Sequence, residues 1–318
     1  MPLRVPLRRQ LGYAFYDWTR EMPAAKRATV WAGLLLQGYA IYAGLTRSLV
    51  WPVIWPKGIV LFPMLLVIYQ IGYWLQNAML TSEFLRKTQL ESDQTAARQI
   101  QQTLQPTTID SPPGYDIETF YKPLRAVGGD CFDVIDLSGD RTLIAMADVS
   151  GKGMPAALLA ANIQALVRTL SSVAADLPEL AARINSHLCR YTPGNRFATA
   201  VFVVLDRSSG RLVYVNAGHN PPIVFGPGSA TALGATGIAL GWFADAAFEA
   251  RTAAMAPAGG LLLYTDGLTD AIAGENPESR LRDALAAARA NTMASVKSLI
   301  DPVFNEDDVT VLLVRRTW

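Results

Sequence analysis

The segment Gly128–Ala157 places an acidic residue on each side of a short apolar run and ends in a glycine turn. The apolar run, Thr142–Ala147, is too short to cross a membrane and suits a buried strand. Asp148 then lies at a strand end, and residues 150–153 form the turn into a helix. A hairpin would bring Asp130 beside Asp148. Two such carboxylates suit a hard divalent cation, because Mg²⁺ and Mn²⁺ prefer oxygen ligands.

Composition excludes several classes of protein. The 318 residues carry a net charge of +1, which gives no general attraction to nucleic acid, so no nucleic-acid partner is expected. Two histidines are too few for a histidine-rich zinc site, and two cysteines cannot build a disulfide framework. Hydrophobic residues make up 51% of the chain, which is high for a soluble protein and indicates a membrane part.

The N-terminal quarter predicts a transmembrane helical hairpin over residues 28–80. A basic cytoplasmic segment, residues 1–27, is followed by uncharged stretches at 28–45 and 58–80, each about the length of roughly 20 residues that a spanning helix needs. A signal peptide fits poorly, because the first apolar run starts late and a second one follows. Basic residues at both flanks predict a multi-pass protein of the inner (cytoplasmic) membrane, with the N- and C-termini in the cytoplasm.

A polar linker, residues 81–110, follows the hairpin. Thr81–Gln105 is expected to be helical until Pro106 stops the helix. Some of its apolar residues recur at spacings of seven, as in a coiled coil. The pattern leaves open whether residues 81–105 form a homodimer helix or a plain spacer.

From Ser111 onward the pattern changes to short strands grouped in hairpins, with helices inserted in pairs. The predicted strands are Tyr115–Leu124, Phe132–Leu137, Thr142–Asp148, Phe197–Asp206, Arg211–Asn216, Gly259–Asp266 and Asp308–Arg316. Helices are predicted at Gly153–Ser172 and Leu177–Tyr191, and Ser279–Leu299 is expected to be mostly helical. This grouping predicts that residues 111–318 form an antiparallel α+β domain.

Acidic residues recur at the ends of the predicted strands, at Asp130, Asp148, Asp266 and the pair Asp307 and Asp308. Any one of them could simply cap a turn. A shared cation explains the set better, because clustered carboxylates raise one another's pKa unless a positive charge neutralises them. This interpretation requires the fold to bring the acids together, which spacing alone does not establish.

The glycine turn also matches the dinucleotide-binding pattern G-x-G-x-x-A, with Ala156 as its last member. However, Asp148 would direct negative charge at the pyrophosphate, and no acid ends a second strand about 20 residues further on. Lys152 does not make the turn a phosphate-binding P-loop, because Met154 stands where Ser or Thr is required. The cation interpretation is therefore favoured.

Six motifs occur in order along the chain: VGGDCFD, DVSGKGMPAALLAA, FATAVFVVLD, VNAGHNPP, YTDGLTDA and DDVTVLLVR. Together they resemble the SpoIIE/RsbU-type bacterial serine/threonine phosphatases of the metal-dependent PPM (type-two-C) superfamily. The resemblance covers residues 97–316. It implies an α+β fold, a four-layer α-β-β-α sandwich phosphatase domain, preceded in this chain by the two-helix transmembrane hairpin.

The resemblance also implies two Mn²⁺ or Mg²⁺ ions at one sheet edge. Carried over by motif, their ligands would be Asp130, Asp148, the backbone carbonyl of Val149, Asp266 and Asp307. A water activated by the two metals would attack the phosphorus of phosphoserine or phosphothreonine, so no protein nucleophile is needed.

Neighbouring residues are further candidates for this site. Asp308 is the alternative to Asp307, although the family's ligand is usually the first acid of the motif. Asp133 is expected to orient waters or Asp130. Gly129 and Gly151 flank the acids in the two glycine motifs.

The animal-type members of the superfamily grip the phosphate with an arginine, for which no motif here supplies an obvious equivalent. Arg125 and Lys152 are the candidates, and Lys152 could instead be an exposed turn residue that binds no phosphate. His219, in the motif AGHNP, is either a general acid or a turn histidine that hydrogen-bonds to its own loop.

The resemblance implies that the substrate is a phosphorylated protein, such as a STAS-type anti-sigma-factor antagonist in a partner-switching pathway. Two alternatives stay open, a pseudophosphatase and a membrane-tethered signalling or binding module with the same fold. The sequence does not identify the physiological substrate or the activating signal, and it does not separate Mn²⁺ from Mg²⁺.

Overall fold

The computed structural model describes Gly38, Tyr39, Tyr42 and residues 58–318, except for positions 107, 108, 110, 172–175, 193, 195, 288–291, 302, 304, 305 and 318. Between residues 58 and 84 it describes the side chains at positions 69, 70, 73, 77, 81 and 84. The chain divides into two compact units, Met1–Glu91 and Ser92–Trp318.

One long helix, α1 (Gly58–Leu104), contains the second of the two stretches expected to span a membrane. The basic segment 1–27 lies outside the described residues, as does the first stretch, 28–45, apart from three of its positions. Within the described part of the chain, we find no helix that combines the length and the apolarity needed to span a membrane. The helix predicted at Thr81–Gln105 is the last part of α1.

Two five-stranded antiparallel sheets form the centre of the second unit. The first sheet has the order β1-β10-β9-β6-β7, with strands Tyr115–Lys122 (β1), Val309–Arg316 (β10), Gly260–Tyr264 (β9), Ile223–Gly226 (β6) and Ser229–Ala232 (β7). The second has the order β2-β3-β4-β5-β8, with strands Asp130–Leu137 (β2), Arg141–Val149 (β3), Ala198–Asp206 (β4), Arg211–Ala217 (β5) and Arg251–Ala254 (β8).

Helices cover the outer face of each sheet. The second sheet packs against α2 (Met154–Leu170) and α3 (Leu177–Tyr191). The first packs against α4 (Asp266–Asp270), α5 (Pro277–Ala287) and α6 (Met293–Lys297). A third apolar cluster lies between the two sheets. The predicted α+β fold with two face-to-face sheets is confirmed, and its layers follow the order α-β-β-α.

The side chains of β3 show why the strand needs a layer on each side. Ile144 and Met146 point toward the other sheet, whereas Leu143, Ala145 and Ala147 point toward α2 and α3. All five are at most 5% exposed. Because successive residues of a strand face opposite sides, an apolar run of this kind is stable only when both faces are covered.

Local signals fix where the two helices on the second sheet begin. Pro155 lies in the first turn of α2, where its missing N–H costs no helical hydrogen bond. Ile163 and Val167, four residues apart, are buried against the sheet. Asp176 caps α3 by accepting a hydrogen bond from the backbone N–H of Glu179. The turn after β3 therefore leads directly into α2, whose first turn is marked by Pro155.

Several elements differ from the sequence prediction. The strand predicted at Gly259–Asp266 ends at Tyr264, and its terminal acid begins the short helix α4. The helical segment Ser279–Leu299 is two helices, α5 and α6. Strands β6, β7 and β8 were not predicted; each has four residues, which is too short to show a clear alternation.

Candidate active site

Asp130 and Asp148 are direct partners in the antiparallel pairing of β2 with β3. Asp130 is the first residue of β2, and Asp148 is the last but one of β3. Asp130 is 2% exposed, whereas Asp148 is partly exposed at the sheet edge. The hairpin therefore brings the first two predicted ligands together.

Two threonines of the opposite sheet region hold the Asp130 carboxylate. The Thr265 Oγ1 hydroxyl donates to Asp130 Oδ2 at 2.9 Å, and the Thr310 Oγ1 hydroxyl donates to the same oxygen. Both threonines are completely buried. Burial, followed by the charge of Asp148, raises the pKa of Asp130 well above its usual value, and the two hydroxyls oppose this rise.

Asp266 reaches the same edge through a close backbone contact. It is the first residue of α4, and Gly267 follows it. A Cβ on Gly267 would lie 2.0 Å from the backbone oxygen of Asp308, so only glycine allows α4 to approach the start of β10 so closely. Asp266 is exposed, but partial desolvation of its carboxyl group, followed by the charges of Asp307 and Asp270, raises the pKa of that group.

The two acids before β10 have different partners. Asp308 uses both carboxylate oxygens within the protein: Oδ1 accepts from the Leu124 N–H at 2.7 Å and Oδ2 from the Gly129 N–H at 2.8 Å. Asp307 Oδ2 pairs with Lys152 Nζ at 2.7 Å. Asp308 is therefore engaged in shaping the loop before β2, whereas Asp307 is bound to Lys152 beside the turn after β3.

The carboxylates at this edge affect one another's charge. Burial raises the pKa of Asp148 to about 7, with Asp266 as the next cause and smaller contributions from Asp307 and Asp308. A divalent cation would offset this repulsion, and the oxygen donors suit Mg²⁺ or Mn²⁺. Within the described ranges no three Asp, Glu, His or Cys side chains converge closely enough to hold one ion by themselves. Mg²⁺ in proteins is usually held by one or two carboxylates and by several waters.

Glycines allow the backbone at the end of β3 to lie close to the start of β2. The Val149 N–H donates to the Gly129 oxygen at 3.3 Å, and a Cβ on Gly129 would lie 3.0 Å from the Val149 oxygen. Gly151 has a φ of +92°, in the left-handed region that favours glycine. Both predicted glycines thus shape the backbone beside the acids.

Two arginines flank the turn between β3 and α2. Arg125 Nη1 lies 3.9 Å from the position of a Cβ on Gly153, and Arg196 Nη1 lies 3.4 Å from that of a Cβ on Gly151. Lys152, between these glycines, is ion-paired. Neither arginine forms a hydrogen bond or an ion pair with another residue that the structure describes. Arg125 was predicted from the sequence and Arg196 was not, because the only signal at Arg196 is its place just before β4.

Asp133, which was predicted to orient waters or Asp130, pairs with an arginine of α2. Because residues alternate along β2, Asp133 lies with Cys131 on the face that packs against α2. Its carboxylate pairs with Arg168 Nε at 2.5 Å and is 5% exposed. Its contact is therefore with α2, on the other side of the sheet from the carboxylate edge.

His219 is a buried loop histidine. Its backbone N–H donates to Asn216 Oδ1 at 2.7 Å, and its Nδ1 pairs with Thr199 Oγ1 at 2.9 Å. Burial lowers the pKa of His219 to about 4, so the ring is neutral at neutral pH. This placement agrees with a histidine that fixes its own loop.

Comparisons with known proteins find a family and several relatives for a large part of this chain. The family described as Stage II sporulation protein E (SpoIIE) matches residues 138–317. Protein IcfG of Synechocystis sp. is 29% identical over 259 residues, which cover 69% of this chain and 40% of IcfG. Phosphoserine phosphatase RsbP of Bacillus subtilis is 27% identical over 213 residues, which cover 62% of this chain and 51% of RsbP. The chain thus spans about two fifths to one half of these relatives.

A solved structure shows the same fold. The crystal structure of the RsbU and RsbW domains of Rv1364c from Mycobacterium tuberculosis superposes with a TM-score of 0.57 at 30% sequence identity. The superposition covers 64% of this chain and 60% of that one.

Proposed function

Because this chain belongs to the Stage II sporulation protein E (SpoIIE) family, we propose that it is a metal-dependent phosphatase acting on phosphoserine or phosphothreonine in a protein. The proposal is supported most by the sheet edge that carries Asp130, Asp148, Asp266 and Asp307. Carboxylates gathered at one edge repel one another, and a divalent cation relieves that repulsion.

The chain's own residues would bind and position the reacting groups. Asp130, Asp148, the Val149 carbonyl, Asp266 and Asp307 would hold two Mn²⁺ or Mg²⁺ ions. Ions held there would supply a coordinated water of lowered pKa and would offset charge on phosphoryl oxygens. The hydroxyl groups that donate to Asp130 fix its carboxylate before any ligand arrives. No side chain is needed as the nucleophile.

The phosphate would be bound by an arginine beside the turn after β3. Arg125 is exposed there and has no carboxylate partner within the described residues, so its guanidinium is available for two parallel hydrogen bonds to phosphate oxygens. Lys152 instead holds Asp307 and donates to the Glu306 oxygen at 2.8 Å. We therefore assign the phosphate contact to Arg125 in preference to Lys152.

The proposal is tested by phosphate release from phosphoserine peptides by the full chain. We expect release with Mn²⁺ or Mg²⁺ and none after a chelator removes the metal, with recovery when metal is restored. Release that persists in chelator would contradict metal dependence. If neither metal supported release, the chain would be a pseudophosphatase or a binding module.

The physiological substrate proposed is a phosphorylated STAS-type anti-sigma-factor antagonist. Support comes from the relative named Phosphoserine phosphatase RsbP and from the solved structure in which an RsbU domain accompanies an RsbW domain. The phosphoprotein that accumulates when the chain is deleted identifies the substrate, and accumulation of an unrelated phosphoprotein would contradict this assignment.

We also propose that the protein is anchored in the inner membrane with both termini in the cytoplasm, and that residues 81–105 form a homodimer. The support is the sequence pattern at residues 28–45 and 58–80 and the partial seven-residue repeat that follows. A reporter fused after Trp318 should be active only in its cytoplasmic form, and periplasmic activity would contradict the orientation. Cross-linking of the full chain tests the homodimer.

A further inference from the structure

Exposed or partly exposed apolar side chains occur at Phe197 and in the segment 238–243, near the carboxylate edge. Ile238, Trp242 and Phe243 are 42%, 55% and 56% exposed. The ring centroid of Phe197 lies 4.4 Å from that of Trp242, and the two planes are inclined by 46°. We call these four residues the aromatic shelf. Clustered apolar groups that stay exposed are typical of binding surfaces.

The backbone beneath the aromatic shelf is held in place by a buried amide. Asn185 of α3 is 1% exposed, and its Nδ2 donates to the Phe243 oxygen at 2.9 Å. Its Oδ1 accepts from the Gly241 N–H at 2.8 Å. Leu240 and Ala198 exchange two backbone hydrogen bonds, at 2.8 and 2.9 Å. The aromatic rings therefore project from a fixed backbone, which lowers the cost of ordering them on binding.

Direct hydrogen bonds join the aromatic shelf to the carboxylate edge. The Ser150 N–H donates to the Phe197 oxygen at 2.9 Å, and the Phe197 N–H donates to Ser150 Oγ at 3.0 Å. Ser150 lies two residues after Asp148. Arg196, which precedes Phe197, points toward Gly151 and has no ion-pair partner in the part of the chain that the structure describes. A free guanidinium thus lies between the acids and the shelf.

From these contacts we propose that the aromatic shelf binds an apolar side chain next to the phosphorylated residue of the protein substrate, while Arg196 contacts the phosphate or the carbonyl groups beside it. The occupant is a segment of the substrate, because the shelf continues the edge at which the phosphate must lie. The guanidinium also complements a dianionic phosphate. This inference rests on the proposed phosphatase function and adds a sequence preference to it.

The preference is tested with phosphoserine peptides and the full chain in Mn²⁺. Each peptide carries one leucine at a different position around the phosphoserine in an otherwise serine and glycine background. We expect leucine at one or two positions to raise kcat/KM about tenfold. In Trp242→Ala, the kcat/KM for these peptides should fall to that for the peptide without leucine. Leu158→Ala removes a side chain of α2 that is 66% exposed, and it should keep the preference.

A binding measurement separates this inference from the phosphatase proposal. Fluorescence anisotropy of the same labelled peptides is measured with Asp266→Asn, which prevents turnover. The leucine preference should appear with Asp266→Asn alone and should be lost when Trp242→Ala is added to it. That result would support the shelf even if the chain hydrolysed nothing. Equal binding of all peptides, or a preference that survives Trp242→Ala, would overturn it.

A polar replacement guards against an effect on folding. Trp242 is more than half exposed, so Trp242→Gln should melt at the wild-type temperature in circular dichroism and lose the preference as Trp242→Ala does. If Trp242→Gln melted normally and kept the preference, the shelf would not be the binding surface.

Discussion

Asp130 lies directly opposite Asp148 in the register of β2 and β3, and its carboxylate is held from behind by Thr265 and Thr310. One hairpin therefore supplies two acids, while the region of β9 and β10 supplies the hydroxyl groups that fix one of them. Asp266 and Asp307 come from the same region of the first sheet. The candidate site therefore depends on the packing of the two sheets against each other.

Thr310→Val removes one hydroxyl from Asp130 and keeps the size of the side chain. The buried carboxylate loses a donor, so we expect the free energy of unfolding to fall by about 1–3 kcal/mol. The affinity for Mn²⁺ should fall about 10- to 100-fold, as it does when a partner of a ligand is lost. Urea unfolding and calorimetric titration measure the two effects. Thr252→Val, at an exposed position of β8, is the control. An unchanged Mn²⁺ affinity in Thr310→Val would show that Thr310 does not position Asp130.

Lys152→Ala removes the ammonium group that pairs with Asp307. Because this cation and a metal ion would compete for the same carboxylate, we expect the Mn²⁺ affinity to rise roughly two- to fivefold, the range of a partly exposed ion pair. Calorimetric titration measures the change, and Lys297→Ala on α6 is the control. A fall in Mn²⁺ affinity would mean that Lys152 holds Asp307 in position for the metal.

Gly267→Ala introduces a Cβ where the Asp308 oxygen lies 2.0 Å away. The backbone of α4 or β10 must move, so the free energy of unfolding should fall by about 1–3 kcal/mol or more. Gly234→Ala is a matched control, because a Cβ at Gly234 meets no atom within 4 Å. Urea unfolding of both variants checks the prediction. Equal stability of the two would show that α4 and β10 are not in this close contact.

The raised pKa of Asp148, about 7, predicts a pH dependence of stability in the metal-free protein. Between about pH 4 and pH 7 the folded chain binds more protons at Asp148 than the unfolded chain, so this stabilising contribution is lost as the pH rises. His219 acts in the opposite direction, because its pKa is lowered. Asp148→Asn isolates the first effect: its melting temperature relative to wild type should rise from pH 4 to pH 7 in chelator.

The matching measurement is made in Mn²⁺. Bound metal neutralises the carboxylates, so the wild-type protein should no longer lose stability relative to Asp148→Asn as the pH rises. A difference in melting temperature that is independent of pH in chelator would contradict the raised pKa.

The acids of the edge could be predicted from the sequence, because β2 and β3 each join an apolar run to a terminal aspartate and a glycine. The close approach of Gly267 to Asp308 could not, because it joins the backbones of α4 and β10 in space. Asp133 was predicted to act beside Asp130, although strand alternation argues against this. Asp133 comes three positions after Asp130, and an odd offset in a strand puts two side chains on opposite faces.

Thr265 and Thr310 were missed although each lies inside a motif. Their role depends on contacts across 135 and 180 residues of sequence, which no local pattern reveals. Arg196 was missed for the same reason, because its guanidinium reaches a turn that lies more than forty residues earlier in the chain. Strand alternation along β10 would have placed Thr310 on the same face as Asp308.

The most direct test of the central claim is phosphate release from a phosphoserine peptide by Asp266→Asn, measured in Mn²⁺ beside wild type and Asp283→Asn. Asp266 is exposed at the start of α4, so the substitution should leave the fold intact. We predict that the rate of phosphate release by Asp266→Asn is more than about a hundredfold below wild type, as expected for a metal ligand. Asp283→Asn on α5 should keep the wild-type rate. Release by Asp266→Asn at the wild-type rate would contradict it.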